Sequence, residues 1–472
     1  MAEKMIHKRE DCNNAEKREA LWKNKRVLIV GMARSGIAVA QLLCRYGAIP
    51  LLNDRKTAEE LGEGLQALQG LPCEWHLGEA PEALLDQSDM LLISPGIAID
   101  APIVRLAREK GIPVTGELET AAQLAEGTLV ALTGTNGKTT TVSLLGEIFR
   151  AAGRIAYVAG NIGYPLSAAA MQSRREDVLV AEVSSFQLET TKAFHPTVAA
   201  VLNVTEDHLN RHYTMENYAA VKRHIFDAQT ARDTAVLNYD DAACRKMAEG
   251  LPSRVAWFSR TREVPQGVCV RDGKIVINWE GREQAVCAAE EVYIPGPHNL
   301  ENALAAAMMA YAAGVPAAVI RHVLRTFKGV EHRIEFVREL DGVKWYNDSK
   351  GTNVDSTVKA VQTMRAPTVL ILGGSDKHVS FDGLAQEIVR SGVIAHVVLC
   401  GATAPQIEKA LRQAGYTAIH QAEHYPEAVA LCRSLAVKGG NVLLSPACAS
   451  FDQFSDYEQR GRVFKELVNA LA

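Results

Sequence analysis

The sequence predicts an α/β protein with parallel sheets, and three observations carry that prediction. A β-branched apolar run, a glycine-rich turn and a helical pattern follow one another at residues 26–43, 129–149 and 368–381. The chain has 472 residues, enough for about three domains. Its 47% hydrophobic and 22% charged residues are typical of a globular protein. Because parallel strands present ligands at their carboxyl ends, we expect binding sites at those ends.

Composition and charge exclude several classes of protein. The 51 basic and 55 acidic residues give a net charge of −4, so the basic surplus expected for nucleic acid or anionic membrane partners is missing. No apolar run approaches the roughly 18–20 residues that cross a bilayer. The nine cysteines contain no CxxC pair, which argues against a disulfide framework and favours a reducing cytosol. We therefore expect a cytoplasmic enzyme acting on small molecules.

The same patterns divide the chain into a leader and three domains. Residues 1–25 form the leader, which is rich in charge and has no apolar stretch, so it does not match a secretory signal. The expected domains are residues 26–115, 116–330 and 331–472. Within the second domain, the pair Asp272–Gly273 between alternating apolar runs predicts a tight hairpin turn.

The strongest single motif is TGTNGKTT, between a strand pattern and a helical pattern. In such a turn, backbone N–H groups and a helix start cradle phosphate oxygens, although the strict phosphate-loop pattern would place its first glycine at Leu132. Lys138 would neutralise the β- and γ-phosphates, and the hydroxyl of Thr139 would bind Mg²⁺. The alternative, a glycine-rich turn that merely contains lysine, leaves the flanking strand and helix unexplained. The candidate nucleotide-binding residues are Gly134, Thr135, Asn136, Gly137, Lys138, Thr139 and Thr140.

Two further strand patterns end in candidate metal ligands. Glu182 interrupts the buried run VLVAEV, and His208 follows the run TVAAVLNVTED. Both would lie on the edge of the sheet that holds the phosphate turn, where they could bind a metal ion. The alternatives are a satisfied ion pair for Glu182 and a helix-capping or core histidine for His208. Lys222 lies fourteen residues after His208, and its residue type alone predicts an ordinary surface lysine.

Further candidates for contacts with the nucleotide lie later in the chain. Asn299 opens a helix, where it either caps the helix or reads an adenine edge. Arg333 stands near the start of the third domain, and the segment NDSKGTN supplies Asp348, Lys350 and Thr352. An arginine and a lysine from one domain, facing the phosphate turn of another, would complete phosphate neutralisation only when the cleft between the domains closes.

The first glycine-rich turn weakly resembles a dinucleotide fingerprint. It runs from Gly31 to Gly36, but Ala33 replaces the glycine that lets the backbone approach a pyrophosphate. Asp54 follows at a spacing close to that of a ribose-binding acid. The substitution at Ala33 argues against a nicotinamide-dependent dehydrogenase.

Taken together, four motifs resemble the Mur ligases: TGTNGKTT, GNIG at 160–163, EVSSFQLE at 182–189 and NVTEDHLNRH at 203–212. PGPHNLENALAA, EHRIE and DSKGTN continue the resemblance in the same order. ISPGI, YNDSKGTN, GGSDKHVSF and LLSPACASFDQF are most similar to the members of the family that add D-glutamate. The resemblance covers nearly the whole chain beyond the leader.

This resemblance implies a fold and a reaction. The fold is a Rossmann-like N-terminal domain that binds a UDP substrate, a central phosphate-loop ATPase domain with a parallel sheet, and a Rossmann-like C-terminal domain that binds an amino acid. In the reaction, ATP phosphorylates the carboxylate of UDP-N-acetylmuramoyl-L-alanine, and the amine of D-glutamate attacks the acyl phosphate. ADP and phosphate are released during cytoplasmic synthesis of peptidoglycan precursors.

The resemblance also assigns residues. It places one Mg²⁺ on Thr139 and Glu182 and a second on His208 and Lys222, with Lys222 carried as a carbamate, which reverses the surface-lysine interpretation. Lys138, His208 and Lys222 are the implied catalytic residues. The implied nucleotide contacts are Asn299, Arg333 and Asp348. The implied UDP contacts are Arg34, Ser35, Asp54 and Arg55, with Asn161 on the muramoyl group. The implied D-glutamate contacts are Thr352, Lys377, Ser450, Phe451 and Tyr457.

Two departures from the family pattern and several alternatives remain at this point. Arg34 and Asp54 stand where smaller uncharged residues are expected, and the charged leader has no counterpart. The nearest alternatives are another Mur ligase or a folylpolyglutamate synthase-like amide ligase. A protein of another class would hydrolyse ATP as a switch without ligation. The expected partners are ATP, the UDP-linked substrate and D-glutamate. The protein is expected to be a monomer.

Overall fold

The computed structural model describes residues 20–376 and 379–471, apart from the side chain of Glu63. Most of the predicted leader and Lys377 therefore lie outside the described residues. The described chain forms three sheets. Among these residues, no helix is both long and apolar enough to cross a membrane.

The first sheet is entirely parallel. Its strands are β1 (Arg26–Val30), β2 (Ile49–Asp54), β3 (Glu74–Leu77), β4 (Met90–Ile93) and β5 (Val114–Gly116), in the order β3-β2-β1-β4-β5. Its helices are α1 (Arg34–Arg45), α2 (Ala58–Leu61) and α3 (Pro102–Glu109), with 3₁₀ turns at Gly62–Leu68 and Glu82–Gln87. Val39, Leu42 and Leu43 form a buried stripe at helical spacing, which explains why α1 packs on this sheet.

The second sheet carries the predicted phosphate turn, the segment from Gly134 to Gly137 that follows its first strand. Its strands are β6 (Thr128–Thr133), β7 (Ala156–Gly160), β8 (Val178–Glu182), β9 (Val198–Val201), β10 (Thr234–Asn238), β11 (Arg254–Ser259), β12 (Gly267–Arg271), β13 (Lys274–Trp279) and β14 (Arg282–Ala288). Their order is β14-β13-β12-β11-β10-β9-β6-β8-β7, with β13 and β14 antiparallel to their neighbours. At the hairpin, Asp272 and Gly273 have φ of 49° and 70°, which confirms the predicted turn.

Helices flank this sheet and connect it to the first. They are α4 (Glu117–Leu124), α5 (Lys138–Ala151), α6 (Leu166–Gln172), α7 (Ser185–Leu188), α8 (Leu209–His212), α9 (Met215–Arg223), α10 (Ala242–Met247), α11 (Pro297–Ala312) and α12 (Ala317–Thr326), with 3₁₀ turns at His224–Phe226 and Ala289–Glu291. Buried Glu117 on α4 accepts a hydrogen bond from Ser167 N at 2.6 Å. Glu119 accepts from Lys192 N and Ala193 N. One hydrophobic core runs through both sheets, so the first two domains share an interior.

The third sheet has strands β15 (Glu335–Leu340), β16 (Val343–Asn347), β17 (Thr368–Leu372), β18 (Ile394–Cys400), β19 (Ile419–Ala422) and β20 (Asn441–Leu444), in the order β15-β16-β20-β17-β18-β19. Only β15 is antiparallel to its neighbour. The helices are α13 (Val354–Thr363), α14 (Asp382–Ser391), α15 (Ala404–Gln413), α16 (Tyr425–Leu435) and α17 (Tyr457–Ala470). Leu370 and Leu372 enter one core and Val369 and Ile371 another, so β17 is buried on both faces.

The structure confirms the expected α/β class with three domains, and two predicted strand–turn–helix units are present as β1–α1 and β6–α5. In the third, β17 lies where the strand was predicted, but helix α14 begins at Asp382, directly after the predicted range. The chain separates into two compact units. One runs to Val292 and includes Glu301–Phe327, and the other comprises Tyr293–Leu300 and the chain from Lys328 onward. The boundaries predicted at residues 115 and 330 stay predictions.

Candidate active site

In the turn between β6 and α5, the backbone at Gly137 has a conformation that favours glycine. Gly137 has a φ of +84°, and a Cβ on it would lie 2.2 Å from Asn302 Oδ1. A Cβ on Gly134 would lie 3.0 Å from the Cβ of Leu202. Helix α5 begins at Lys138, directly after this turn. The N–H groups at the start of a helix and its positive dipole end attract anions, so the turn has the form that phosphate binding requires.

A residue that sequence reasoning did not select, Asn203, holds this turn in place. Asn136 N donates to Asn203 Oδ1 at 2.9 Å, and Asn203 Nδ2 donates back to Asn136 O at 3.1 Å. The carbonyl oxygen of Asn203 also accepts a hydrogen bond from Thr135 N at 3.0 Å. Asn203 opens the motif NVTEDHLNRH, but its role depends on the adjacency of β6 and β9 in the sheet. Only a prediction of strand order could have identified it.

Two lysines converge on one carbonyl group of the turn. Lys138 Nζ donates to Gly134 O at 2.9 Å, and Lys222 Nζ donates to the same oxygen at 3.0 Å. Lys222 is 1% exposed and lies over the ring of Tyr218 at 4.4 Å. The interpretation of Lys222 as a surface lysine is therefore wrong, because α9 packs this side chain under the phosphate turn.

The environment of Lys222 favours its neutral form. Burial lowers the pKa of Lys222 well below its usual range, and the positive charge of Lys138 lowers it further. The cation–π contact with Tyr218 and the carbonyl of Gly134 provide partial compensation for the charged form.

Glu182 ends β8 beside the phosphate turn, as expected from its position in the parallel sheet. Its side chain is buried at 3% exposure, and Oε1 accepts a hydrogen bond from Asn161 Nδ2 at 3.0 Å. Among the described residues, Oε2 of Glu182 has no hydrogen-bond partner although it is buried. No ion pair satisfies this oxygen in the described chain, and a buried carboxylate oxygen in this condition is suited to a metal ion.

His208 lies at the start of α8 with a left-handed backbone, at φ of 53°. Its side chain is 48% exposed and makes no capping hydrogen bond, so the helix-capping and core alternatives do not describe it. The ring nitrogen Nε2 lies 3.5 Å from Asp207 Oδ2, and the ring lies against Phe186. Partial burial lowers the pKa of His208, and the charges of Lys138 and Lys222 add to this effect while Asp207 opposes it.

The predicted UDP contacts lie around the first glycine-rich turn. Arg34 is exposed at the start of α1, and its Nη1 lies 3.5 Å from where a Cβ on Gly163 would stand. The structure thus brings Arg34 close to the loop of Asn161. Asp54 accepts hydrogen bonds from Met32 N at 2.8 Å and Lys56 N at 3.0 Å, which fixes the turn. Ser35 is half-buried and Arg55 is exposed at the end of β2.

In the second compact unit, Asp348 ends up buried beside Arg333. Asp348 Oδ2 accepts from Ser445 Oγ at 2.6 Å, and Oδ1 accepts from Ile334 N at 3.2 Å. Burial raises the pKa of Asp348 to about 7, against the lowering effects of the Ser445 hydrogen bond and the Arg333 charge. Among the described residues, Arg333 Nε is buried without a hydrogen-bond partner. Asn299, also in this unit, donates to Pro295 O at 2.7 Å.

Three of the predicted D-glutamate contacts, Thr352, Ser450 and Phe451, lie on loops that a buried arginine joins. Arg460, which sequence reasoning missed, is 1% exposed and donates to Ser349 Oγ, Ser349 O, Cys448 O and Ala449 O. These bonds join the loop of Thr352 to the loop of Ser450. Ser450 is buried and Phe451 is 73% exposed, while Tyr457 begins α17 beside Lys350. Lys377 lies outside the described residues.

A cluster in this unit has the composition of a metal site but a different occupant. Ligand atoms of Glu331, His332 and Glu335 lie within 4.8 Å of one another. Lys465 Nζ donates to Glu331 at 2.5 Å and to Glu335 at 2.9 Å. The lysine ammonium already neutralises both carboxylates, so the arrangement is an ion-pair network.

Family models match three parts of the chain. The N-terminal domain of MurD-like Mur ligases matches residues 25–116, and the Mur ligase middle domain matches residues 132–310. The Mur ligase domain described as the glutamate ligase domain matches residues 332–448. The three matches follow one another in the order of the three sheets.

Two relatives match over nearly their whole length. A UDP-N-acetylmuramoylalanine--D-glutamate ligase of Caldanaerobacter subterraneus subsp. tengcongensis is 46% identical over 448 residues, covering 94% of this chain and 98% of the relative. A protein of the same name from Clostridioides difficile is 44% identical over 451 residues, covering 95% and 99%.

Solved structures share the fold at lower identity. UDP-N-acetylmuramate-alanine ligase MurC from Thermotoga maritima superposes with a TM-score of 0.58 at 17% identity, covering 94% of this chain and 99% of that one. MurF ligase from Thermotoga maritima, solved in complex with ADP, gives a TM-score of 0.58 at 18% identity, with 98% of both chains covered. From the matched domains and the relatives over nearly the full length, the chain belongs to the Mur ligase family.

Proposed function

We propose that this chain joins D-glutamate to the L-alanine carboxyl group of UDP-N-acetylmuramoyl-L-alanine, using ATP. The observation that carries the proposal is the 46% identity, over 94% of the chain, to a ligase named for this reaction. The phosphate turn with its two converging lysines supports the use of ATP. The reaction supplies a precursor of peptidoglycan.

The chemistry requires activation because a carboxylate is a poor electrophile. Its oxygen attacks the γ-phosphorus of ATP, so the new P–O bond forms as the bond to ADP breaks. The neutral amine of D-glutamate then attacks the carbonyl carbon of the acyl phosphate. A tetrahedral intermediate forms, phosphate leaves with the electron pair of the C–O bond, and the nitrogen loses a proton.

In this proposal the phosphate turn holds the β- and γ-phosphates, and Lys138 offsets the charge that develops during transfer. In the structure, Lys138 Nζ donates to Gly134 O and Thr135 O. Those two carbonyl bonds are exchanged for phosphate oxygens when nucleotide binds. Asn203 keeps the N–H groups of the turn in position because it fixes Asn136 from both sides.

The residues around the turn fit Mg²⁺, which the proposal includes as two ions. The buried Oε2 of Glu182 has no partner in the described chain, and a hard carboxylate oxygen is the ligand type that Mg²⁺ prefers. Thr139 and Glu182 would hold one ion, and His208 with Lys222 would hold the other. When bound, Mg²⁺ neutralises phosphate charge and orients the γ-phosphate for transfer.

A carbamate on Lys222 would let this residue bind Mg²⁺. An ammonium group there would repel a metal ion, whereas a carbamate is anionic and offers two oxygens. Its formation requires a neutral amine to attack CO₂, and the burial of Lys222 favours the neutral amine. The carbamate would replace the present hydrogen bond from Lys222 to Gly134 O.

The remaining assignments follow the family pattern. Arg34, Ser35, Asp54 and Arg55 would contact the UDP group, and Asn161 the muramoyl group. Asn299, Arg333 and Asp348 would contact the nucleotide. Thr352, Lys377, Ser450, Phe451 and Tyr457 would contact D-glutamate. We further propose that the chain acts as a monomer in the cytoplasm, which sedimentation at micromolar concentration and cell fractionation would test.

Release of ADP tests the function directly. We expect rapid ADP release with UDP-N-acetylmuramoyl-L-alanine and D-glutamate together, and negligible release when either is omitted. Replacing D-glutamate with L-glutamate, L-lysine or meso-diaminopimelate should give little product. Robust ATP hydrolysis with neither co-substrate would overturn the ligase in favour of a switch protein, and preference for another acceptor would place the chain with a different Mur ligase.

The Lys222→Ala variant tests the carbamate. We expect turnover to be nearly abolished while the fold and ATP binding persist, with partial rescue by formate or acetate at the vacated oxygen position. Lys246→Ala, an exposed lysine on α10, is the matched control and should remain fully active. Electron density that ends at Nζ in a metal- and nucleotide-bound crystal, together with full activity of Lys222→Ala, would contradict the proposal.

A further inference from the structure

Two cysteines of the first domain lie in contact, far apart in sequence. Cys44 is in the last turn of α1, and Cys73 directly precedes β3. Their sulfur atoms are 3.4 Å apart. A disulfide bond has a length of about 2.05 Å, so the sulfurs need to approach by only about 1.4 Å.

The pair differs from the other cysteines of the described chain in its exposure. Cys44 and Cys73 are half-buried, whereas the remaining six described cysteines are buried. Small polar oxidants therefore reach these two sulfurs more readily than the others. Neither residue belongs to the phosphate turn, and Cys44 lies at the opposite end of α1 from its first residue, Arg34.

We propose that Cys44 and Cys73 are a reversible redox site that forms a disulfide when a peroxide reaches the first domain. The thiolate of one cysteine attacks a peroxide oxygen, so an S–O bond forms, the O–O bond breaks and the departing hydroxide takes a proton from solvent to become water. The sulfur of the second cysteine then attacks the sulfenic sulfur of the first, forming the S–S bond while the S–O bond breaks. The departing oxygen takes the proton of the second thiol, and one hydrogen peroxide becomes two waters as two thiols lose two electrons.

The mutual contact places each sulfur where it can react with the other. Either sulfur can donate the hydrogen bond, and the sulfur that accepts it has the more stable thiolate. Whichever thiolate attacks the peroxide, the resolving thiol therefore lies beside it.

The bond would join the end of α1 to the edge strand of the first sheet. Strand β3 pairs only with β2 in that sheet, so it is one of its two edge strands. Closing a covalent loop between residues 44 and 73 reduces the freedom of the unfolded chain and stabilises this edge. The disulfide leaves the phosphate turn untouched, so the reduced and oxidised proteins should both release ADP.

Peptide mapping of the full chain tests the proposal. After treatment with hydrogen peroxide and alkylation of free thiols, we expect one dominant cross-linked peptide pair containing Cys44 and Cys73, which dithiothreitol removes. Cys44→Ser and Cys73→Ser should each lose that pair, and Cys269→Ser, which alters a buried cysteine on β12, should keep it. The reduced Cys44→Ser protein should retain its ADP release.

Three results would overturn the proposal, and each can be read from the unsubstituted protein. The first is the absence of any cross-linked pair at a peroxide dose that oxidises other residues. The second is a pair that joins Cys44 or Cys73 to a different cysteine. The third is independent oxidation of both residues to sulfinic acids without a bond between them.

Discussion

The glycine-rich turns of two neighbouring domains form hydrogen bonds with side chains of opposite charge. The turn after β6 offers the carbonyl of Gly134 to two amines, those of Lys138 and Lys222. The turn after β1 offers the N–H of Met32 to a carboxylate, that of Asp54. Each turn follows a buried parallel strand and opens a helix, so the order of the elements is the same. The side chains that reach the turn from other elements differ.

This difference shows that a strand–turn–helix unit does not by itself specify its ligand. A carboxylate that accepts hydrogen bonds from turn N–H groups fixes the conformation of the turn, whereas two amines attract phosphate. Lys222 arrives from α9 and Asp54 from the end of β2, and both positions depend on tertiary packing. The assignment of ATP to the second turn and of the UDP substrate to the first can be tested by breaking each arrangement separately.

The largest effect is expected at the second turn. Lys138→Ala removes the charge that offsets the developing negative charge on the γ-phosphoryl group, and we expect kcat to fall about a thousandfold. A coupled ADP-release assay measures this change. The KM for the UDP substrate should stay the same, because that ligand belongs to the first turn. Activity within tenfold of the unsubstituted protein would contradict the assignment of Lys138.

A smaller effect is expected when the support of that turn is removed. Asn203→Ala deletes two hydrogen bonds to Asn136, each worth about 1 kcal/mol, so we expect the KM for ATP to rise about 30-fold. Asn203→Asp keeps the acceptor for Asn136 N but cannot donate, and should fall in between. If Asn203→Ala instead raised the KM values for all three substrates equally, the substitution would have damaged the fold as a whole. That result would argue against a role of Asn203 confined to the ATP turn.

At the first turn, Asp54→Asn should act on the other substrate. The amide retains one acceptor but loses the charge and one of the bonds to Met32 N and Lys56 N, at a cost of about 1–2 kcal/mol. We expect the KM for the UDP substrate to rise roughly tenfold, with the KM for ATP unchanged. A rise in the KM for ATP of the same size would break the distinction between the two turns.

The smallest effect is expected from Arg34→Ala. Arg34 is exposed at the start of α1, so water screens its charge and a contact with a substrate phosphate is worth about 1 kcal/mol. The KM for the UDP substrate should rise about fivefold, and the rise should shrink as salt is added. An effect that does not depend on salt would assign Arg34 a packing role beside Gly163.

Local pattern predicted those parts of the structure that depend on neighbouring residues. The glycine-rich turn before α5, the hairpin at Asp272–Gly273 and the position of strand β17 all follow from short motifs, since backbone conformation and strand periodicity are local properties. The placement of Glu182 beside the phosphate turn also followed, because parallel neighbours end on the same edge. Residue types alone predicted the wrong environment for Lys222, whose burial comes from the packing of α9.

The sequence by itself determined the α/β class, the order of strand, turn and helix, and the glycine-rich turn before Lys138, because hydrophobic periodicity and glycine positions are local properties of the sequence. The tertiary structure alone decided which side chains reach those turns: Asn203 and Lys222 at the second, Asp54 at the first, and Arg460 between two loops of the second unit. It also brought Cys44 and Cys73 into contact. Contacts between residues far apart in sequence depend on strand order and helix packing, which no local pattern encodes.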